Sequence, residues 1–297
     1  MIERFQLTTL RQLTPTVRLA TNPSGQTFVV VERQESEAVI ALFGAHLMHF
    51  AVHGQPLLWM SETSALDGSR PIRGGVPVCW PWFGPSPARV GAGKPQHGFA
   101  RTQIWTLDGV SEQDSDTLIH LSLTDNDESR ALWPFAFELE LDIQVGESLT
   151  MMLTSRNTGT EPLVYNSALH TYFQTSAPEQ VRVTGIGPVY RDKLQQGKEV
   201  SETAFVLDQP VDRVYFQPEP VVQVSTGRHA LTLDNYQADS VVVWNPWQAG
   251  AASIVDFHDA GWQDMVCVET CITAADGVTV APDEEHTYGF TLHAKAV

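Results

Sequence analysis

Short apolar and β-branched runs, broken by Gly, Pro, Asn or Asp, recur along most of the chain. They are Thr27 to Val31, Ala38 to Leu42, Thr117 to Leu123, Phe135 to Val145, Ser148 to Arg156, Val221 to Val224, Ser240 to Trp244, Met265 to Thr270 and Tyr288 to His293. Runs of this length bounded by turn formers predict strands. From Phe137 to Val145 the odd positions are apolar and the even ones polar, which predicts a sheet wet on one face. Val241-Val242-Val243-Trp244 is apolar at every position and predicts a strand covered on both sides. An antiparallel protein with both kinds of strand needs two sheets packed face to face. Sustained 3.6-residue periodicity is missing, and only Ser64 to Leu66 and Ser129 to Trp133 predict short helical pieces, so an α/β fold has no crossover helices to draw on. The expected fold class is all-β, a large antiparallel β-sandwich. No linker-like segment or fixed-period repeat divides the chain, so one domain over residues 1–297 is expected.

One stretch departs from this regularity. Ile72 to Arg101 is rich in Gly and Pro and contains Arg73-Gly74-Gly75, Cys79-Trp80-Pro81-Trp82-Phe83-Gly84-Pro85 and Gln96-His97-Gly98-Phe99-Ala100-Arg101. Loops of this length are usually functional or disordered, and aromatic and arginine side chains argue against disorder. An Ω-loop capping a sheet end without a ligand is the alternative. Trp80, Trp82 and Phe83 fit either an apolar wall of a ligand site or packing of this loop onto the sandwich, and are left out of the site.

Composition narrows the functions. The 297 residues carry 35 acidic and 18 basic side chains, for a net charge of −17, which repels polyanions. Nucleic acid and anionic membrane are therefore not expected as partners. The 42% hydrophobic content, with 8 Trp and 13 Phe, supports a core without crosslinks, and 3 Cys fit a reducing compartment. Met1 to Leu10 does not read as a secretory leader, and no apolar stretch of about 20 residues occurs in the sequence, so neither export nor a membrane-spanning helix is expected. A cytoplasmic protein is expected, with a monomer as the default.

Two histidine and carboxylate positions stand out. On a strand from Tyr165 to Phe173, period 2 puts Asn166, Ala168, His170 and Tyr172 on one face and Ser167, Leu169, Thr171 and Phe173 on the other. From Met265 to Cys271 the same rule groups Met265, Cys267, Glu269 and Cys271. A carboxylate in so apolar a run needs a partner or a purpose, and burial raises its pKa toward that of a neutral-range base. A satisfied core histidine and a structural ion pair are the competing readings. His46, His49 and His53 resemble a metal spacing, but on a strand only His49 and His53 share a face and nothing completes a tetrahedral set, so no metal is expected. The chain has no phosphate-binding glycine loop, dinucleotide fingerprint or nucleophile elbow.

Gly44-Ala45-His46-Leu47, the run from Asp67 to Pro77 containing Arg73-Gly74-Gly75-Val76-Pro77, Trp80-Pro81-Trp82-Phe83-Gly84, His97-Gly98-Phe99-Ala100-Arg101, Ala168-Leu169-His170-Thr171-Tyr172-Phe173, Trp244-Asn245-Pro246 and Cys267-Val268-Glu269 follow one another in order. In this the chain resembles the hexose-6-phosphate mutarotases of the galactose-mutarotase-like superfamily, from about Gly44 to the C-terminus. The resemblance implies a large β-sandwich and an acid/base isomerase acting on a hexose 6-phosphate without a cofactor. It implies His170 as general acid and Glu269 as general base. Arg73, Gln96 and Arg101 would contact phosphate and sugar, Asp192 would bind sugar hydroxyls, and His97 would contact the ring oxygen or a neighbouring hydroxyl. Val76 stands where many relatives carry Ile.

The negative net charge does not exclude a small dianion, because Arg70, Arg73, Arg89, Lys94 and Arg101 lie close together in the sequence and offer a local basic pocket. Rival readings are a mutarotase for neutral sugars, a sugar-phosphate-binding sandwich without catalysis, and a histidine-cluster metalloprotein.

Overall fold

The computed structural model describes residues 2–201, 205–274 and 276–296. Its strands pair antiparallel throughout the named sheets. Six strands from Thr8–Gln12 to Gln55–Pro56 form a meander in chain order. A nine-stranded sheet carries Phe137–Val145 and Ser148–Asn157 near its middle, and an eight-stranded sheet runs in the order Lys198–Ser201, Val189–Asp192, Val211–Phe216, Ser240–Asn245, Met265–Ile272, Ser167–Leu169 and Val78–Cys79, with Tyr172–Gln174 also paired to Met265–Ile272. The large antiparallel β-sandwich expected from the hydrophobic pattern is the architecture observed.

The alternating segment Phe137–Val145 buries every odd residue and leaves the even ones half-exposed. Its inner side chains join Val241, Val243, Val266, Val268, Leu169 and Phe173 from the eight-stranded sheet in one buried apolar cluster that runs from Val17 to Leu292. The large sheets thus share a core, and the meander contributes Val29, Val31, Ile40 and Leu47 to it. The outer face of the meander is covered differently, by Phe5 from the N-terminal turn and by Ile72.

Val241-Val242-Val243-Trp244 is apolar on both faces for a reason other than a second sheet. Val241 and Val243 enter the core, whereas Val242 and Trp244 turn to the opposite side, where they pack with Cys79, Ala168, Val214 and Cys271. That side is the floor of a pocket.

The helical expectations fare unevenly. Asn126 and Ser129 form a reciprocal capping box that starts a helix at Asp127–Leu132, slightly earlier than expected. Ser64 to Leu66 is irregular, and a helix at Trp247–Ser253 had not been expected. Residues 72–101 pack onto the sandwich, with Val76, Trp80, Trp82 and Phe99 buried in the main core.

Candidate active site

The pocket opens on the non-core face of the eight-stranded sheet. It encloses about 450 Å³, within the usual range for small-molecule sites. His170, Glu269, Arg73, Gln96, His97 and Arg101 all line it. Glu269 comes from the strand Met265–Ile272 and His170 from the segment paired beside it, while residues 72–101 bring Arg73, Gln96, His97 and Arg101 to the same pocket.

His170 does not sit in a continuous strand. The strand Ser167–Leu169 stops before it and Tyr172–Gln174 resumes after it, both paired with Met265–Ile272. In the gap His170 N–H donates to Pro77 O at 3.0 Å and Tyr172 N–H to Gly75 O at 2.9 Å, while Val268 N–H donates to Thr171 O at 3.1 Å. The chain leaves one partner to reach another, yet the side-chain alternation survives: Ala168, His170 and Tyr172 face the pocket side, and Leu169 and Phe173 the core.

Glu269 lies mid-strand and is only 1% exposed. Its Oε1 is 3.4 Å from His170 Nε2. Glu269 Oε2 and His170 Nδ1 are buried without a protein hydrogen-bond partner among the described residues. Burial pushes the Glu269 carboxyl well above its ordinary pKa; the charge of Lys193 partly counteracts this and that of Asp212 adds to it. Burial also pushes the His170 imidazole well below its ordinary value, helped by the positive charges of Arg101 and Arg73. The His170 ring stacks on Tyr172 at 4.8 Å.

Gly75 and Gly98 fix the loop geometry. A Cβ on Gly75 would stand 2.2 Å from Leu47 O, one on Gly98 1.9 Å from Trp80 O, and both residues have positive φ. His97 N–H donates to Gly84 O, and Gly84 N–H donates to His97 Nδ1 at 3.2 Å. With Nδ1 accepting, neutral His97 carries its proton on Nε2. Burial holds the His97 imidazole well below its ordinary pKa, so the ring serves as a neutral donor.

The arginines are oriented by neighbours. Arg73 donates to Asp256 Oδ1 at 3.2 Å and to Tyr172 Oη at 3.2 Å. Burial disfavours its charge, but Tyr172 and Asp256 more than offset this and raise its pKa. Arg101 donates from one terminal nitrogen to Gln96 O at 2.8 Å, and its buried Nε has no protein partner among the described residues. The rest of the basic run looks elsewhere: Arg89 donates to Asn166, Lys94 donates to the carbonyls of Ala131 and Leu132, and Arg70 is exposed.

Asp192 does not line the pocket. On the strand Val189–Asp192 its neighbours Arg191 and Lys193 face the cavity, and Asp192 points away, accepting from Leu194 N–H at 2.9 Å and from Gln195 Nε2 at 3.0 Å. The period-2 rule that located His170 and Glu269 here puts Asp192 on the wrong face. The second carboxylate in the pocket is Asp212, on the adjacent strand Val211–Phe216. Phe83, set aside with the tryptophans at the sequence level, is also a pocket wall.

His46, His49 and His53 do not converge on a common centre. A bulge at Met48 brings His46 and His49 onto the same side of their strand, contrary to a straight-strand reading, and each ring has its own partner: His46 meets Gly74 O at 2.7 Å, His49 Glu37 at 2.8 Å and His53 Glu35 at 2.6 Å.

An aldose 1-epimerase family model matches residues 27–293, which includes every pocket residue named above. The chain belongs to the aldose 1-epimerase family. A candidate glucose-6-phosphate 1-epimerase of Escherichia coli K12 is 35% identical over 247 residues, covering 82% of each chain. A counterpart of the same description from Salmonella typhimurium is 33% identical over 276 residues, covering 91% of each. The crystal structure of a candidate mutarotase from Salmonella typhimurium superposes with a TM-score of 0.92 at 30% identity over 99% of both chains. Aldose 1-epimerases are isomerases of sugars, and in this chain a buried histidine and a buried carboxylate, His170 and Glu269, stand side by side in the pocket.

Proposed function

We propose that this protein interconverts the α and β anomers of a hexose 6-phosphate, with glucose 6-phosphate the first substrate to test. The observation that carries this reading is the His170–Glu269 pair, out of water and 3.4 Å apart, in the same pocket as Arg73 and Arg101. A guanidinium offers a fixed fork of donors that matches phosphate oxygens, and a pocket for neutral sugars has no need of two.

The pair can hold one proton between the two groups, and their contact lets it pass directly from one to the other. In the reactive arrangement Glu269 is a carboxylate and His170 an imidazolium. Glu269 removes the proton of the C1 hydroxyl, C1 becomes a carbonyl, the C1–O5 bond breaks, and His170 delivers its proton to O5. Rotation about C1–C2 presents the opposite face of the aldehyde. O5 then re-adds, returning its proton to His170, while Glu269 protonates the new hydroxyl. No proton is gained or lost over the cycle.

The other residues bind and orient. Asp212 accepts from sugar hydroxyls, Gln96 contacts sugar or phosphate, His97 Nε2–H donates to the ring oxygen or a neighbouring hydroxyl, and Arg73 and Arg101 take the phosphate. A hexose 6-phosphate dianion does not cross a bilayer unaided, which supports a cytoplasmic setting.

Magnetisation-transfer NMR between the C1 protons of the two anomers measures the exchange directly. Acceleration of glucose 6-phosphate exchange well beyond that of glucose or galactose is expected. Acceleration of the neutral sugars alone overturns the phosphate reading in favour of a neutral-sugar epimerase, and binding without any acceleration leaves a non-catalytic sandwich.

A further inference from the structure

Lys193 occupies the pocket in a bridging position. Its Nζ lies 3.2 Å from Asp212 Oδ1 and 4.7 Å from the centre of the Phe83 ring. One ammonium therefore joins the turn Lys193–Gln195, the strand Val211–Phe216 and the loop that follows Val78–Cys79. The base of this arm is fixed: Asp192 caps the turn through Leu194 N–H and Gln195, and Gln196 ends it in the left-handed conformation. The arm itself is long, and its side chain is 37% exposed against 25% for Asp212. A fixed base and a half-solvated tip make a side chain that changes partners at small cost.

The partner it now holds is a pocket carboxylate that a sugar needs. While the ammonium sits on Asp212, that carboxylate is less available to hydroxyl donors. A phosphate dianion carries about twice the charge of one carboxylate and three acceptor oxygens, so it competes effectively for the ammonium. Building on the hexose-phosphate reading above, we propose that Lys193 is a specificity-determining residue that exchanges Asp212 for the substrate's phosphate, so that arrival of the phosphate frees Asp212 to bind the sugar. The position of Lys193 also matters electrostatically, because its charge acts on both Glu269 and His97.

The test divides the substrate into pieces. Anomer exchange of free glucose is measured by NMR with and without phosphite dianion, in wild type, Lys193→Met and Lys193→Arg, and glucose 6-phosphate is measured in all three. In wild type, phosphite is expected to raise glucose turnover about tenfold, equivalent to about 1.4 kcal/mol. Lys193→Met is expected to turn over glucose faster than wild type without phosphite, to gain nothing from phosphite, and to show a KM for glucose 6-phosphate raised on the order of tenfold. Lys193→Arg is expected to restore the phosphite response, which separates loss of the cation from damage to the turn. If wild type prefers glucose 6-phosphate but Lys193→Met keeps the same preference and the same phosphite response, the exchange role is overturned while the substrate reading stands. If wild type shows no preference for the phosphorylated sugar, the substrate reading itself fails and the role of Lys193 fails with it.

Discussion

His170 Nε2 lies 3.4 Å from Glu269 Oε1, and the remaining polar atoms of the two side chains, Nδ1 and Oε2, are buried without protein partners among the described residues. A buried acid and base held this way are costly to folding, since each charged form is deprived of water and only partly repaid by its neighbour. Such a cost is retained where the free atoms have a substrate to meet.

Glu269→Gln separates the two consequences. Loss of the base is expected to lower kcat by about 10²–10⁴. The same change is expected to raise the melting temperature near neutral pH. Folded Glu269 keeps a proton that the unfolded chain releases near 4.5, so native stability falls as pH rises from there toward the raised folded value, and Gln carries no such penalty. Each pKa unit is worth about 1.4 kcal/mol, or roughly 2–4 °C for a large domain. Calorimetry across pH should show the gap closing in acid; a variant less stable than wild type at every pH contradicts it.

The pH–rate profile follows from the same pair. Activity falls on the acid side when the pair takes a second proton and on the alkaline side when it loses its last one. Burial holds the His170 imidazole well below 6.5, so the acid limb is expected below that pH. Free glucose is the substrate of choice here, because a sugar phosphate titrates on its own near pH ~6. An acid limb above 6.5 is incompatible with a buried, neutral-leaning histidine.

Arg101→Ala is expected to raise KM for glucose 6-phosphate by on the order of 10–100-fold, the worth of hydrogen bonds to a charged group, and to change the KM for glucose far less. Asp256→Asn, which loosens the 3.2 Å contacts that orient Arg73, should do the same more weakly. Equal effects on both sugars in steady-state kinetics would remove these arginines from the phosphate site.

Gly98→Ala is expected to destabilise the fold by about 2–4 kcal/mol, because its Cβ would collide with Trp80 O and the residue holds φ +71°. Activity should fall with stability, since His97 is its chain neighbour. A normal melting temperature would show that the loop can move aside.

The sandwich was legible in the sequence because its strands are amphipathic: Phe137–Val145 states its buried face residue by residue. Period 2 likewise gave the right faces for His170 and Glu269. The interruption at His170 and Thr171 was not legible, because it is caused by hydrogen bonds to Pro77 and Gly75, nearly a hundred residues earlier, and nothing local marks it. Asp212 and Lys193 were missed for a related reason. Asp212 sits between Val211 and Arg213 and reads as an ordinary half-solvated strand position, and only the pairing of its strand with Ser240–Asn245 brings it over the pocket. The basic residues of the 70–101 stretch were over-counted because charge along a chain says nothing of direction; Arg89 and Lys94 turn to carbonyl and amide oxygens on other elements. The helix Trp247–Ser253 continues after Trp247 and Gln248 in small residues with no apolar period, and its local signal is the Asn245-Pro246 start, where Asn245 Oδ1 accepts from Trp247 N–H.

The backbone bonds from His170 to Pro77 and from Tyr172 to Gly75 have a bearing on how such a protein can diverge. They lock the segment carrying Arg73 to the segment carrying His170 in a fixed register, so gaining or losing one residue anywhere from 73 to 77 would displace both at once. Residues 85–95 are under no such backbone lock among the described residues: the side chains of Arg89 and Lys94, and Trp82 Nε1–H donating to Pro95 O, tie that stretch down. Length changes should therefore be admissible in the outer loop and lethal in the inner one, which makes the outer loop the place where new sugar preferences can arise without endangering the chemistry.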